Sequence, residues 1–345
     1  MIPGRGLARR LHDRSRRRRR RAGILMYHCI TETDLDPWGI CVSPAAFDEQ
    51  MAVLSAARAG ADLGELRDPS SFTATGSKIA VTFDDGYADN LAAALPILER
   101  HEIPATVFVI GTAVGRTREF WWDALERAVL GDLELPEELR FPFGTSRTFR
   151  IDDHPVDIAE TRTWRADLDG PSCDRQQLFR DLWEAIVVLA PEEQDDAVDY
   201  LLEWAGHPVD APAPRPALTA DEFADLAAHP LITIGSHTLD HASLTDLDPA
   251  AQHRQIARGR DRIRELSGLP VTRFSFPYGR YDATAVDAVR RAGIELACTS
   301  RPVAAIADDD PLTLPRLQVL DDDGDTFARK LYDDHRLAVG ALSSL

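Results

Sequence analysis

No apolar run behind the basic N-terminus is long enough to cross a bilayer as a helix. The best candidate, Gly23 to Ile30, contains His28 and runs straight into Thr31 and Glu32, whereas a spanning helix needs about 20 apolar residues. The same stretch is too short and too polar for a secretory leader, so it reads as the first strand, and a cytoplasmic location is expected. Cysteine is scarce: Cys29, Cys41, Cys173 and Cys298 are the four, none in CxxC spacing. That excludes a dense disulfide framework and suits reduced thiols. GxSxG, GxxxxGK[ST] and GxGxxG are all missing, which leaves no signature for a serine hydrolase or a phosphate-cradling loop. Repeats and heptads are missing too.

What is present is a strongly acidic body behind a basic arm. The first 22 residues carry ten Arg against one Asp, and removing that +9 from the overall −18 leaves −27 for the rest. No nucleic-acid partner is expected for such a body, although the Arg16 to Arg21 run could touch an anionic surface. Residues 1–22 are expected to be a disordered arm. At 345 residues and 44% hydrophobic, the remainder, 23–345, can bury one large core with an insertion.

Taken in order, strand patterns alternate with helix patterns, which implies parallel pairing. Ile24 to Tyr27 is a strand ending at His28, and Ser43-Pro44 opens a helix to about Ala59. Ile79 to Phe83 is a second strand, followed by a helix from Tyr87 to His101, and Ala105 to Ile110 is a third. From about 119 to 217 helical segments replace the alternation, ending in the Pro-rich run Ala211 to Ala217. Trp121, Trp122, Trp164, Trp183 and Trp204 lie in this insertion and are either core or a stacking surface for sugars. Alternation then resumes with a capped helix from Thr219, a strand at Leu231 to Ile234, and a helix from Asp248 to Ser267 stopped by Gly268. Arg273 to Phe276, Ile294 to Thr299 and Leu317 to Leu320 are the last strands, interleaved with a helix at Asp282 to Ala292 and followed by one from about Thr326.

The polar clusters fall at the ends of these strands: His28, Asp84-Asp85, His237 with His241, and Tyr278. Strand C-terminal ends are where ligands bind in α/β sheets. Asp84 and Asp85 could merely cap the following helix. If the segment after Ile234 turns helically, however, His237 and His241 share a face, and two imidazoles with one carboxylate suffice for a catalytic zinc with an open position. Two adjacent acids then divide the work. One stays ionised on the metal, and the other accepts a proton from water whose pKa the metal lowers towards about 7. Pro277-Tyr278-Gly279 could present a backbone N–H to the oxyanion. The run Asp321 to Asp325 lacks the remaining ligands of a calcium loop and reads as a solvated turn.

In order, TFDDG (Thr82 to Gly86), SHTLDH (Ser236 to His241) and FPYG (Phe276 to Gly279) resemble the first three motifs of the polysaccharide deacetylases, carbohydrate esterase family 4. The similarity covers about Ile24 to Ile110 and Thr219 to Leu320. It leaves the helical insertion at about 119–217 outside, and it implies a distorted (β/α) barrel that binds a divalent metal, commonly Zn2+, and removes N-acetyl groups from amino sugars, with a carbohydrate partner. Carried over, it implies Asp84 as general base, Asp85, His237 and His241 as metal ligands, and the Tyr278 amide as oxyanion donor between Pro277 and Gly279 at the substrate. His28, in MYH, resembles a histidine of the bacterial exopolysaccharide deacetylases and is expected at the rim of the site.

The chain departs from the family pattern twice. Ser275 stands where an Arg usually precedes Pro-Tyr-Gly by two residues, and Arg316, in LPR, is the candidate that replaces it in orienting Asp84. The late Leu-x-x-His motif is missing, and His335 is expected at the surface, so the general acid is unassigned. A sugar deformylase, an imidase or a non-catalytic glycan-binding relative stays open as an alternative, and nothing in the sequence speaks to oligomeric state.

Overall fold

The computed structural model describes residues 21–68, 77–152 and 162–337; the basic arm expected at residues 1–22 therefore lies outside the described residues up to residue 20. The first strand, β1 (Arg21–Tyr27), already includes Arg21 and Ala22. Two short strands, β2 (Cys29–Ile30) and β3 (Cys41–Val42), pair in parallel and put Cys29 opposite Cys41. Ser43 caps α1 (Pro44–Ala56) by accepting from Ala46 N, with Pro44 in the first turn where its missing N–H costs nothing. β4 (Gly60–Ala61) and β5 (Ile79–Phe83) follow, then α2 (Leu95–His101) and β6 (Ala105–Val109).

The insertion contains α3 (Trp121–Leu130), a hairpin of β7 (Glu138–Phe141) and β8 (Arg147–Arg150), α4 (Asp174–Ile186) and α5 (Pro191–Trp204). The hairpin is an addition to the expected helices. It is held by four antiparallel pairs and buries only Leu139 and Phe141 among its eight positions, a weak pattern to read from sequence. After the insertion come α6 (Ala220–Ala228) with its Thr219–Glu222 capping box, β9 (Ile232–Ser236) and α7 (Pro249–Ser267), stopped by Gly268 in the left-handed region. β10 (Arg273–Ser275), α8 (Ala283–Arg291), β11 (Leu296–Cys298), β12 (Ala305–Ile306), β13 (Leu317–Gln318) and α9 (Gly324–Asp333) complete the chain.

The main sheet runs β11-β10-β9-β6-β5-β1, all parallel, with β13 parallel to β1 and only β12 antiparallel. Leu314, three residues before β13, bridges Cys298 of β11, so the sheet curls back on itself into a distorted (β/α) barrel. Side chains alternate along a strand. Leu25, Val81 and Val107 accordingly pack outwards with α1, α2 and α6, while Ile24, Ala80 and Phe108 fill the interior. The same period carries Thr82 and Asp84, and Met26 and His28, to the C-terminal mouth. The insertion has a separate core around Phe141, Phe179 and Leu182, which also takes in Cys29, Cys41 and Tyr87.

The helix expected from Tyr87 starts later. Tyr87 bridges Ala217, and Ala88, in the turn that follows, donates its N–H to Pro216 O; a π turn at Asn90–Ala94 then leads into α2. No helix among the described residues is long and apolar enough to cross a membrane.

Candidate active site

Asp84 and Asp85 directly follow β5, and Asp85 and Gly86 both adopt positive φ, 73° and 86°. At Gly86 a Cβ would lie 2.8 Å from Val109 Cγ1, so only glycine lets the turn pass that close to β6. Of the seven described non-glycine residues with positive φ, four sit at this mouth: Asp85, Thr238, His241 and Tyr278. Backbone strain of this kind persists where the surrounding structure over-determines it, and it concentrates at functional sites.

His237 and His241 do not share a helix. Thr238 (φ 65°) and His241 (φ 59°) turn the chain sharply, with Thr238 Oγ1 accepting from His241 N at 2.9 Å. α7 holds this turn from behind: Leu239 N donates to Gln255 O and Asp240 N to Gln255 Oε1. Gly259 of α7 packs so closely that a Cβ would sit 2.3 Å from Thr238 C. The result is the outcome that i,i+4 spacing pointed to, reached by a different route: the two Nε2 atoms are 3.1 Å apart.

Each imidazole is fixed through its other nitrogen. His237 Nδ1 lies 2.8 Å from Ser275 O, so it carries the proton and donates, leaving the Nε2 lone pair facing the cavity. His241 Nδ1 lies 3.0 Å from Tyr278 Oη. Burial lowers the pKa of both rings, which keeps them neutral as ligands must be.

Asp85, His237 and His241, all buried, gather one donor atom each within 4.8 Å of one another. Asp85 Oδ1 is sealed from solvent with no hydrogen-bond partner, 3.5 Å from His237 Nε2 and 3.4 Å from His241 Nε2. Ligands about 2.1 Å from a tetrahedral ion stand roughly 3.4 Å from each other. Three donors at 3.1, 3.4 and 3.5 Å therefore fit one face of a divalent metal's coordination shell. The donor set, two nitrogens and one oxygen, suits Zn2+. Burial raises the Asp85 pKa well above the ordinary range, with Asp84 and Asp123 adding to it; an unpaired buried carboxylate is costly unless a cation compensates it.

Asp84 has a different environment. Arg316 reaches it with two parallel bonds, Nη1 to Oδ1 at 2.7 Å and Nη2 to Oδ2 at 2.6 Å, in a fork geometry that lysine could not supply. Ser275 Oγ adds a bond to Oδ2 at 3.2 Å and itself accepts from Arg316 Nη2 at 2.7 Å. Thr82 Oγ1 and Thr299 O accept the remaining guanidinium N–H groups, at 3.2 Å each. Burial alone would raise the Asp84 pKa, but the Arg316 charge, with His237 and His28, holds it well below the usual carboxylate range. Arg316 is fully enclosed because it lies at the barrel seam, between the Leu314 bridge and β13.

These residues open into a cavity of about 290 Å³ that is also lined by Met26, Trp38, Trp122, Trp183, Arg280 and Gln318. His28 lines it as well; its carbonyl is held by Asn90 Nδ2 at 2.8 Å, and its Nδ1 is shielded without a partner. Burial pushes its pKa down to about 4. Tyr278 forms part of the wall, while Pro277 and Gly279 shape the turn behind it and do not line the cavity.

A sequence profile for the family described as polysaccharide deacetylase matches residues 73–137 and 197–297, leaving out most of the insertion. The chain carries a polysaccharide deacetylase domain over these residues. YxkH of Bacillus subtilis (strain 168), whose name places it among polysaccharide deacetylases, is 31% identical over 102 residues, 30% of this chain and 36% of that protein. The match thus spans about a third of the curated relative. Among solved structures, Streptococcus pyogenes deacetylase PplD in complex with acetate superposes with a TM-score of 0.51 at 16% identity, covering 90% of this chain and 98% of that one. IcaB from Ammonifex degensii gives 0.53 at 18% identity, covering 90% and 94%. At such identities the likeness establishes the deacetylase fold.

Sequence reasoning did not find two contributors to the site. Trp38 lies outside the insertion that drew attention to the other tryptophans. Trp122, which the sequence left open between core and a stacking surface, is buried and lines the cavity, 4.7 Å centroid to centroid from His241. The Tyr278 hydroxyl on His241 Nδ1 gave no signal, because its motif had drawn attention to the backbone alone. Trp121 and Trp164 are buried core, so of the insertion's five tryptophans only Trp122 and Trp183 face the cavity. Asp321, in the acidic run, accepts from Ser43 N and Oγ, and Asp323 caps α9.

Proposed function

We propose that this chain is a metal-dependent hydrolase that removes N-acetyl groups from an amino sugar in a polysaccharide or glycan precursor. The observation that carries the reading is the contrast between neighbouring aspartates: Asp84 held ionised by Arg316, and Asp85 with its Oδ1 left without a hydrogen-bond partner beside two neutral imidazoles. Asp85, His237 and His241 would hold the ion, most consistently Zn2+. When bound, such an ion polarises an amide carbonyl and makes water more acidic.

The chain's own groups supply the rest. Asp84 removes a proton from the attacking water, and Arg316 keeps that carboxylate ionised and aimed. The Tyr278 N–H donates to the oxygen that gains charge. The proton that Asp84 takes from water returns to the departing amine nitrogen through His28, which lines the same cavity and is neutral in the free protein, and so able to accept it. Trp38, Trp122 and Trp183 offer apolar faces on which a pyranose ring can stack.

The test combines bound metal by elemental analysis with acetate release from N-acetyl sugar oligomers, for wild type and Asp84→Asn. The substitution is expected to cost on the order of 10²–10⁴ in rate with metal retained. Full activity in the mutant would remove Asp84 from the role, and formate in place of acetate would redirect the reading to a deformylase.

A further inference from the structure

The turn that carries Asp85 is braced by the end of the insertion. Leu218 N donates to Gly86 O at 3.0 Å, Ala88 N to Pro216 O at 2.8 Å, and Tyr87 and Ala217 form an antiparallel bridge between them. Tyr87 is fully buried in the insertion's core. Its hydroxyl accepts from Trp122 Nε1 at 2.8 Å and donates to Asp123 Oδ2 at 3.0 Å. Arg215, from the same bracing segment, pairs with Asp123 Oδ1 at 3.0 Å and with Glu126 Oε1 at 2.9 Å. Phe120 stacks on the indole of Trp122 with ring planes 6° apart and 4.7 Å between centroids. Trp122 then meets His241, whose ring lies between it and Tyr278, with centroids 4.7 and 4.5 Å away.

An indole clamped at its N–H and stacked on one face has little freedom, and the imidazole it touches inherits that constraint. We propose that Tyr87 is a positioning residue for the metal site: by clamping Trp122 through its hydroxyl it fixes the orientation of His241, so that the insertion sets the geometry of the ligands. A tyrosine here is needed because one hydroxyl must accept from the indole and donate to Asp123 at once, which phenylalanine cannot do. The inference rests on the metal-dependent reading above.

The test measures Zn2+ affinity by competition with a chelator, and the visible absorption of the Co2+-loaded protein, for wild type, Tyr87→Phe, Trp122→Phe and the double variant. Groups that orient metal ligands typically change affinity by about 10–100-fold when removed. Tyr87→Phe should therefore weaken Zn2+ binding by roughly 10-fold and shift the Co2+ bands. In the Trp122→Phe background, which has no N–H to clamp, the same change should be silent, a non-additivity expected of residues acting in series. Equal losses in both backgrounds, or unchanged affinity and spectra with only a lower melting temperature, would overturn the proposal. If Tyr87→Phe folds poorly, Trp122→Phe removes the same bond from the other side; unaltered affinity and spectra there would also overturn it. Failure of the wild type to bind any divalent metal sinks the reading of the site itself, which separates the two failures.

Discussion

Replacing Arg316 with Ala removes the guanidinium that pairs with Asp84 and leaves a carboxylate that is 2% exposed, with the Ser275 hydroxyl on Oδ2 and His237 Nε2 3.9 Å away. Breaking a buried ion pair from one side costs about 3–5 kcal/mol. With an unfolding entropy of about 2.1 cal/mol/K per residue, a chain of 345 residues loses roughly 4–7 °C in melting temperature for that cost. The larger effect is on protonation. In the wild type the folded pKa of Asp84 lies below its unfolded value. The pairing therefore contributes stability above the ordinary carboxylate range, and that contribution is lost as pH falls through the folded pKa. Without Arg316, burial becomes the dominant influence and raises the folded pKa above the unfolded one. The sign then reverses: the carboxyl is better accommodated protonated, and stability is lost as pH rises through the raised value.

A raised pKa leaves less of the base ionised at a given pH, and without the fork the carboxylate is no longer aimed. Arg316→Ala is expected to cut kcat on the order of 10²–10⁴ at pH 7, as for loss of a general base, and to regain part of it as pH is raised. Metal content should hold, because Arg316 touches none of Asp85, His237 and His241. The assay is a pH–rate profile of deacetylation alongside elemental analysis and thermal unfolding across the same pH range. Arg316→Lys, which keeps the charge but not the fork, covers the case in which the alanine variant unfolds, and it should fall between the two. Turnover within twofold of wild type at pH 7 in a metal-loaded variant would refute the reasoning.

Gly259→Ala would push α7 off the turn that carries His241, since its Cβ would fall 2.3 Å from Thr238 C and 2.5 Å from Thr238 O. About 1–3 kcal/mol of stability should go with it, read by chemical denaturation, together with weaker metal binding; an unperturbed variant would mean that the turn is not held by this contact. Trp183→Ala should raise KM for sugar oligomers about 5- to 30-fold with kcat little changed, corresponding to loss of roughly 1–2 kcal/mol of ring contact, and an unchanged KM would show that the sugar lies elsewhere. His28→Gln keeps size and polarity but carries no proton, so kcat should fall on the order of 10²-fold while the Zn2+ dissociation constant stays put; equal turnover in the two proteins would leave the acid role to another group.

How far the site could be read in advance depended on whether a residue's role is local. Asp84, Asp85, His237 and His241 lie at strand ends, and the period-two alternation that buries Ala80 also turns Thr82 and Asp84 inwards, so their convergence follows from strand register. The helices with strong caps, at Ser43, Thr219 and Asp248, start where their side chains dictate. By contrast, Tyr87 looked helical because its neighbours have helix propensity. Its backbone instead pairs with Ala217, a partner separated from it by the whole insertion, and tertiary pairing overrode the local preference.

Arg316 shows why a substitution in a motif can be compensated at a distance. An arginine placed at position 275 would reach Asp84 from β10; Ser275 leaves that space to a guanidinium entering from the seam beside β13, and keeps a hydroxyl that bonds both partners. The seam position satisfies the guanidinium through Thr82 and Thr299 as well, so the charge is buried without an unpaired donor. Moving the arginine to the seam also ties the base to barrel closure, since Arg316 stands two residues after the Leu314 bridge to Cys298 and donates to Thr299 O beside it. Weakening that closure should then lower activity through Asp84, with the metal ligands after β5 and after β9 left in place.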